Sequence, residues 1–210
     1  MRGFLSAVDA GPACAFRALF GASMLLHVGR LHYLGMYRRS IVEPEFHFGY
    51  GVPFVVPPTS ESVALVHLAS LALASIGITL GIHSRGCCLV FAVLYAYFVL
   101  CERTMFNNHY YLYILLALLL SLVGADQTFA IGAARQRRPP LLHWHTLLLR
   151  CQVCVVYMYA GVAKLNSDWV LHHEPMRTKV SEPPLWRPCD AGLPPGPADA
   201  EMLPGTAVAG

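Results

Sequence analysis

The stretch Ser62-Val-Ala-Leu-Val-His-Leu-Ala-Ser-Leu-Ala-Leu-Ala-Ser-Ile-Gly-Ile-Thr-Leu-Gly-Ile82 decides the fold. Its large apolar residues (Val63, Leu65, Val66, Leu68, Leu71, Leu73, Ile76, Ile78, Leu80) are spaced by small ones and broken only by His67. A bilayer core takes about 20 apolar residues as a helix, so a run of this length without charge predicts a transmembrane helix. It ends in the tight turn Gly81-Ile-His-Ser-Arg-Gly86, and the almost purely apolar run Cys87 to Cys101 follows at once. The two helices are therefore expected to be antiparallel neighbours.

Working outward, three more runs of the same kind appear. Ala15 to Met36 precedes, interrupted by Arg17, His27, Arg30 and His32. His109 to Val123 follows, with Asn107 or Asn108 placed to cap free amide groups of its first turn. Thr146 to Leu165 closes the series, with Arg150 toward one end and Lys164 at the other, both able to snorkel to the interface. The expected fold is an all-α, multi-pass transmembrane helical bundle of about five spans. The connection Val42 to Pro58, rich in Phe, Tyr, Gly and Pro, reads as interfacial.

Composition agrees. Of 210 residues, 56% are hydrophobic and 13% charged, against about 25% charged in soluble domains. The lipid bilayer is thus the first expected partner, and the chain is read as an integral membrane protein of the endoplasmic reticulum or another cellular membrane. The net charge of +3 forms no basic stripe, which argues against nucleic acid as a partner. Seven cysteines, an odd number placed mostly in apolar runs, do not suggest a disulfide framework. Met1 to Ala15, with an early Asp9 and Pro12, reads poorly as a signal peptide. Arg135, Arg137 and Arg138 form the main positive cluster and predict a cytoplasmic side, shared with the N-terminus and Arg85. The segment 178–210 holds seven of the 15 prolines and no apolar run, and is expected to be disordered.

Ionisable residues inside spans are costly, so each is a functional candidate. The chain has two lysines, and Lys164 lies in Tyr157-Met-Tyr-Ala-Gly-Val-Ala-Lys-Leu-Asn-Ser-Asp-Trp169. At helical spacing Tyr157, Gly161, Lys164 and Asp168 share a face, where a phenol, a gap, an amine and a carboxylate can line one cavity. Desolvation favours the neutral, proton-accepting form of a buried amine. The structural alternative is an interface anchor formed by Lys164 with Asp168 beside Trp169. A second polar run, Asn107-Asn-His-Tyr-Tyr-Leu-Tyr113, heads an apolar helix, where it either orients a polar ligand or simply caps the helix within an aromatic belt. Cys151 and Cys154 have CxxC spacing without a second pair, and the histidine pairs lack the repetition of a di-iron site, so no metal is expected.

Together and in this order, the Asn-Asn-His run and the Tyr-x-Ala-Gly-x-x-Lys-Leu-x-x-Asp-Trp run resemble the membrane domain of vitamin K-dependent gamma-carboxylases, the HTTM (horizontally transferred transmembrane) family. Looser likeness extends to Phe16-Arg17 and Gly81 to Arg85, and the resemblance covers residues 15–177. It implies coupling of hydroquinone oxygenation to removal of a glutamyl γ-proton, with carbon dioxide captured by the carbanion and the quinone released as its epoxide. It further implies reduced vitamin K or a related quinone as cofactor, O2 and CO2 as co-substrates, and a glutamyl-containing protein as partner. Lys164 falls on the position of the base, and His109 on that of the histidine near the carbanion step. Asn108, Tyr157 and Asp168 fall beside them as binding residues. The animal carboxylases have two adjacent lysines where this chain has Ala163-Lys164. The additional helices and large luminal portion of those enzymes find no counterpart, so the chain reads as a C-terminally truncated member with a frame-shifted or alternative tail after Arg177. The reading from a different class is a non-catalytic membrane protein that binds a quinone or lipid.

Overall fold

In the computed structural model, residues 4–53, 55–131 and 139–172 are described. The tail 178–210, expected to be disordered, lies outside them. The chain divides into two units, Met1–Tyr157 and Met158–Gly210. The described residues are all-α. They form α1 (Gly11–Tyr33), α2 (Glu61–Leu80), α3 (Ser84–Cys101), α4 (Asn108–Val123) and α5 (His143–Ala163). The four helices α1, α2, α3 and α5 are long and apolar enough to cross a membrane, and α4 is a shorter apolar helix of 16 residues. At 1.5 Å per residue α4 covers about 24 Å, less than a full hydrocarbon core.

Helix ends follow local chemistry. Pro12 sits in the first turn of α1, where its missing N–H costs nothing. Gly81, at φ +70, closes α2 in the left-handed conformation and returns its N–H to the carbonyls of Gly77 and Ile78. Asn107 caps α4 by accepting the His109 N–H. Consecutive helices pack pairwise in the order α1, α2, α3, α4, which confirms α2 and α3 as neighbours. The core between them includes Phe20, Met24, Leu71, Ile78, Phe91, Tyr95, Phe98 and Leu120.

The polar residues that interrupt α1 explain its course. Arg17 is 1% exposed and donates to the carbonyls of Ile78, Thr79 (3.1 Å) and Phe129 (2.6 Å). The guanidinium thus meets the carbonyl end of α2, where helical carbonyls lack intrahelical donors and the dipole favours a cation. Four residues on, Gly21 lets α1 approach α2 closely: a Cβ there would come within 2.6 Å of the Thr79 backbone nitrogen. The motif fragments Phe16-Arg17 and Gly81 to Arg85 therefore meet at one end of the bundle. The same end gathers Ser84, whose hydroxyl donates to Asp126 at 3.3 Å, and Arg85, whose guanidinium lies against Gly124 at the close of α4. An antiparallel bridge between Ala7 and Leu142, with Val8 N–H donating to Leu141 at 2.9 Å, brings the N-terminal segment there as well. The N-terminal segment, Arg85 and the start of α5 thus share one end of the bundle; Arg135, Arg137 and Arg138, on which the cytoplasmic side is predicted, lie outside the described residues.

Candidate functional site

At the head of α4, sequence chemistry and helix geometry fix one side chain in detail. Asn107 Oδ1 accepts from the backbone N–H of His109 at 3.0 Å, which identifies that atom as the oxygen. The same oxygen lies 2.8 Å from His109 Nδ1. An amide oxygen cannot donate, so Nδ1 carries the proton and Nε2 of the neutral ring keeps its lone pair. His109 is exposed. Asn107 orients it and caps the helix; Asn108 is the first residue of α4 and is exposed.

Two tyrosines of the run turn inward, while Tyr111 stays exposed. Tyr110 and Tyr113 each lie against His27 of α1, with ring centroids 5.4 Å apart in both cases. His27 Nε2 is 2.8 Å from the hydroxyl of Tyr95, a fully buried residue of α3. Tyr95 in turn stacks on Phe91 at 5.4 Å. The interruption of α1 by His27 therefore marks a polar contact inside the bundle, which periodicity alone did not assign to a partner.

A second His–Tyr pair lies nearby in the fold. His67 Nε2 donates to the Leu94 carbonyl at 3.1 Å, since a carbonyl only accepts, and its Nδ1 accepts from the Tyr37 hydroxyl at 2.9 Å. Tyr37 stacks on Phe98 at 5.1 Å. Burial, then the Cys101 thiol and the Tyr97 phenol, push the Tyr37 hydroxyl well above its ordinary value, so it stays a donor. Both nitrogens of His67 are used, which makes it a link among α2, α3 and the turn after α1.

Near the opposite end of α3 from Ser84, Glu102 anchors the aromatic connection. It is 4% exposed; its carboxylate accepts from Phe48 N–H (3.1 Å) and from Thr104 N–H and hydroxyl (3.2 and 3.0 Å), and pairs with His47 (3.4 Å). Burial alone would raise its carboxyl, but these donors together hold it below its ordinary value.

The lysine motif falls differently from its helical expectation. Helix α5 ends at Ala163, so Lys164 lies in the turn that follows, its N–H donating to Gly161 at 3.1 Å. Asp168 begins a separate π-helical turn, Asp168–His172, and Asn166 caps that turn by accepting the Trp169 N–H at 2.9 Å. The single face expected to join Tyr157, Gly161, Lys164 and Asp168 is therefore broken, because the helix stops before it can carry the last two residues. Lys164 is exposed rather than buried, with its Nζ 5.1 Å from the Trp169 ring centroid. That contact is the one an interface anchor makes. Tyr157 is 75% exposed.

The HTTM domain family matches residues 6–189. The chain belongs to that family. The HTTM domain is found in vitamin K-dependent gamma-carboxylase and related proteins, so this is a membrane protein related to the carboxylases. The HTTM match takes in both polar runs and, at its ends, reaches beyond the 15–177 covered by the resemblance in sequence. No solved structure matches the chain.

Proposed function

We propose that this HTTM protein is a membrane enzyme of the gamma-carboxylase type, oxygenating a hydroquinone and using that reaction to carboxylate a glutamyl side chain. The observation that carries the reading is the family match over 6–189, with both polar motifs inside it. In the balanced reaction the hydroquinone and O2 give the quinone epoxide and water, while the glutamyl γ-carbon exchanges a proton for CO2. No metal takes part in this scheme.

Each residue has an assigned part in the proposal. Lys164 is the base that takes the hydroquinone proton and starts the reaction. His109 acts near the glutamyl carbanion; its Nε2 lone pair, left free by the Asn107 contact, suits a group that handles a proton there. Asn108, Tyr157 and Asp168 contribute polar contacts to the quinone or the glutamyl substrate. Membranes carrying the chain, supplied with reduced vitamin K, O2 and a glutamyl peptide, should form quinone epoxide above the level of membranes without it.

The second reading is a non-catalytic membrane protein that binds a quinone or lipid. It is favoured by the exposed, Trp169-stacked position of Lys164. Saturable quinone binding without epoxide formation would select it.

A further inference from the structure

We propose that the groove between α1 and α5 holds the anionic headgroup of a membrane phospholipid, with Arg150 as the cation that recognises it. The groove is a cavity of about 380 Å3 whose walls include Pro12 and Phe16 of α1 and Leu149 and Val153 of α5. Two polar residues of α5 also line it, Thr146 and Arg150, one helical turn apart and so on one face. Among the described residues the Thr146 hydroxyl oxygen is buried without a hydrogen-bond partner. Among the described residues Arg150 enters no ion pair. A hydroxyl and a guanidinium on residues that line one cavity are the donors that a phosphodiester takes.

Depth and surroundings select a lipid. Arg150 is seven residues into α5, about 10 Å along the axis from the helix start, within reach of the headgroup boundary for a snorkelling side chain. The apolar walls suit the glycerol and upper acyl chain, which free phosphate lacks. Only 6% of the apolar length of α5 is buried, against 39–44% for α1, α2 and α3, so the groove is flanked by a helix largely open to its surroundings. In sequence, Arg135, Arg137 and Arg138 precede α5, which by the positive-inside rule places this end at the leaflet where anionic lipids concentrate.

The test is lipid retention by the full chain in detergent, followed by native mass spectrometry and thermal unfolding, with phosphatidylserine, phosphatidylcholine and inorganic phosphate as separate probes. Phosphatidylserine should be retained in preference and should raise the unfolding temperature; phosphatidylcholine and phosphate should not. Arg150→Gln should weaken retention about fivefold, the weight of one basic residue at an anionic surface, while Arg150→Lys keeps most of it and Arg30→Gln changes nothing. Equal retention of the two lipids by the unaltered chain overturns the proposal, and this comparison decides the matter even where Arg150→Gln does not fold. Retention unchanged in a folded Arg150→Gln protein overturns it as well.

Discussion

Asn107 Oδ1 accepts two hydrogen bonds from His109, one from its backbone N–H at 3.0 Å and one from its ring Nδ1 at 2.8 Å. One side chain thus starts α4 and sets the tautomer of the histidine beside it. Asn107→Ala should cost about 1 kcal/mol of stability as a lost N-cap, visible in thermal unfolding, whereas Asn107→Asp should retain the cap. Nitrogen NMR of the labelled His109 ring should show the Nδ1-protonated form in the parent and a mixture in Asn107→Ala. A ring protonated at Nε2 in the parent would rule out this arrangement.

Arg17 should be the least replaceable residue of α1. Arg17→Met removes the donor to the part-buried carbonyls of Thr79 and Phe129 and should cost about 1 kcal/mol, the low end for a polar group left without its partner; Ile78 keeps the amide of Gly81. Arg17→Lys should rescue only in part, because an ammonium lacks the planar fork that reaches several carbonyls at once. The measurement is the unfolding temperature and membrane yield of the three proteins, and equal values would remove this contact from the account.

The distance from α1 to α2 rests on Gly21. A Cβ at that position meets the Thr79 backbone nitrogen at 2.6 Å and the Ile78 side chain at 2.9 Å, and backbone cannot swing aside as a flexible side chain can. Gly21→Val should therefore force the helices apart and destabilise by about 1–3 kcal/mol, the usual range for overpacking. Gly29→Val, where a Cβ meets nothing within 4 Å, is the matched control and should be near neutral.

How the chain reads as sequence follows from these contacts. Run length and apolar content locate α2 to within two residues at each end and α4 to within one, because no charged residue interrupts the apolar run of either helix. Helix α1 is less clear on the same criterion because Arg17 and His27 interrupt its apolar run, yet both are turned into the bundle and meet partners on other elements. Such partners lie 61 to 112 residues away along the chain, beyond any local pattern. The polar run at the head of α4 was legible as a cap, and the structure adds which asparagine does it. The lysine motif was legible as a motif but not as a face, since helical spacing assumes a helix that continues, and α5 stops at Ala163.

Glu102 gives a pH signature outside the spans. Its carboxyl is held below the ordinary value of 4.5, so its contribution is fully present above that value and is lost as pH falls through the lower folded value. Acid should therefore release the segment around Phe48, with faster amide exchange there than in the helices. Glu102→Gln should show the faster exchange already at neutral pH, and an acid-insensitive segment in the parent protein would contradict the anchor.

The central claim concerns Lys164 and is tested most directly by quinone epoxide formation in membranes carrying the parent chain or Lys164→Ala, at equal protein level and with reduced vitamin K, O2 and a glutamyl peptide supplied. The proposal predicts epoxide from the parent and a fall to background in Lys164→Ala. Equal epoxide from the two proteins would contradict it.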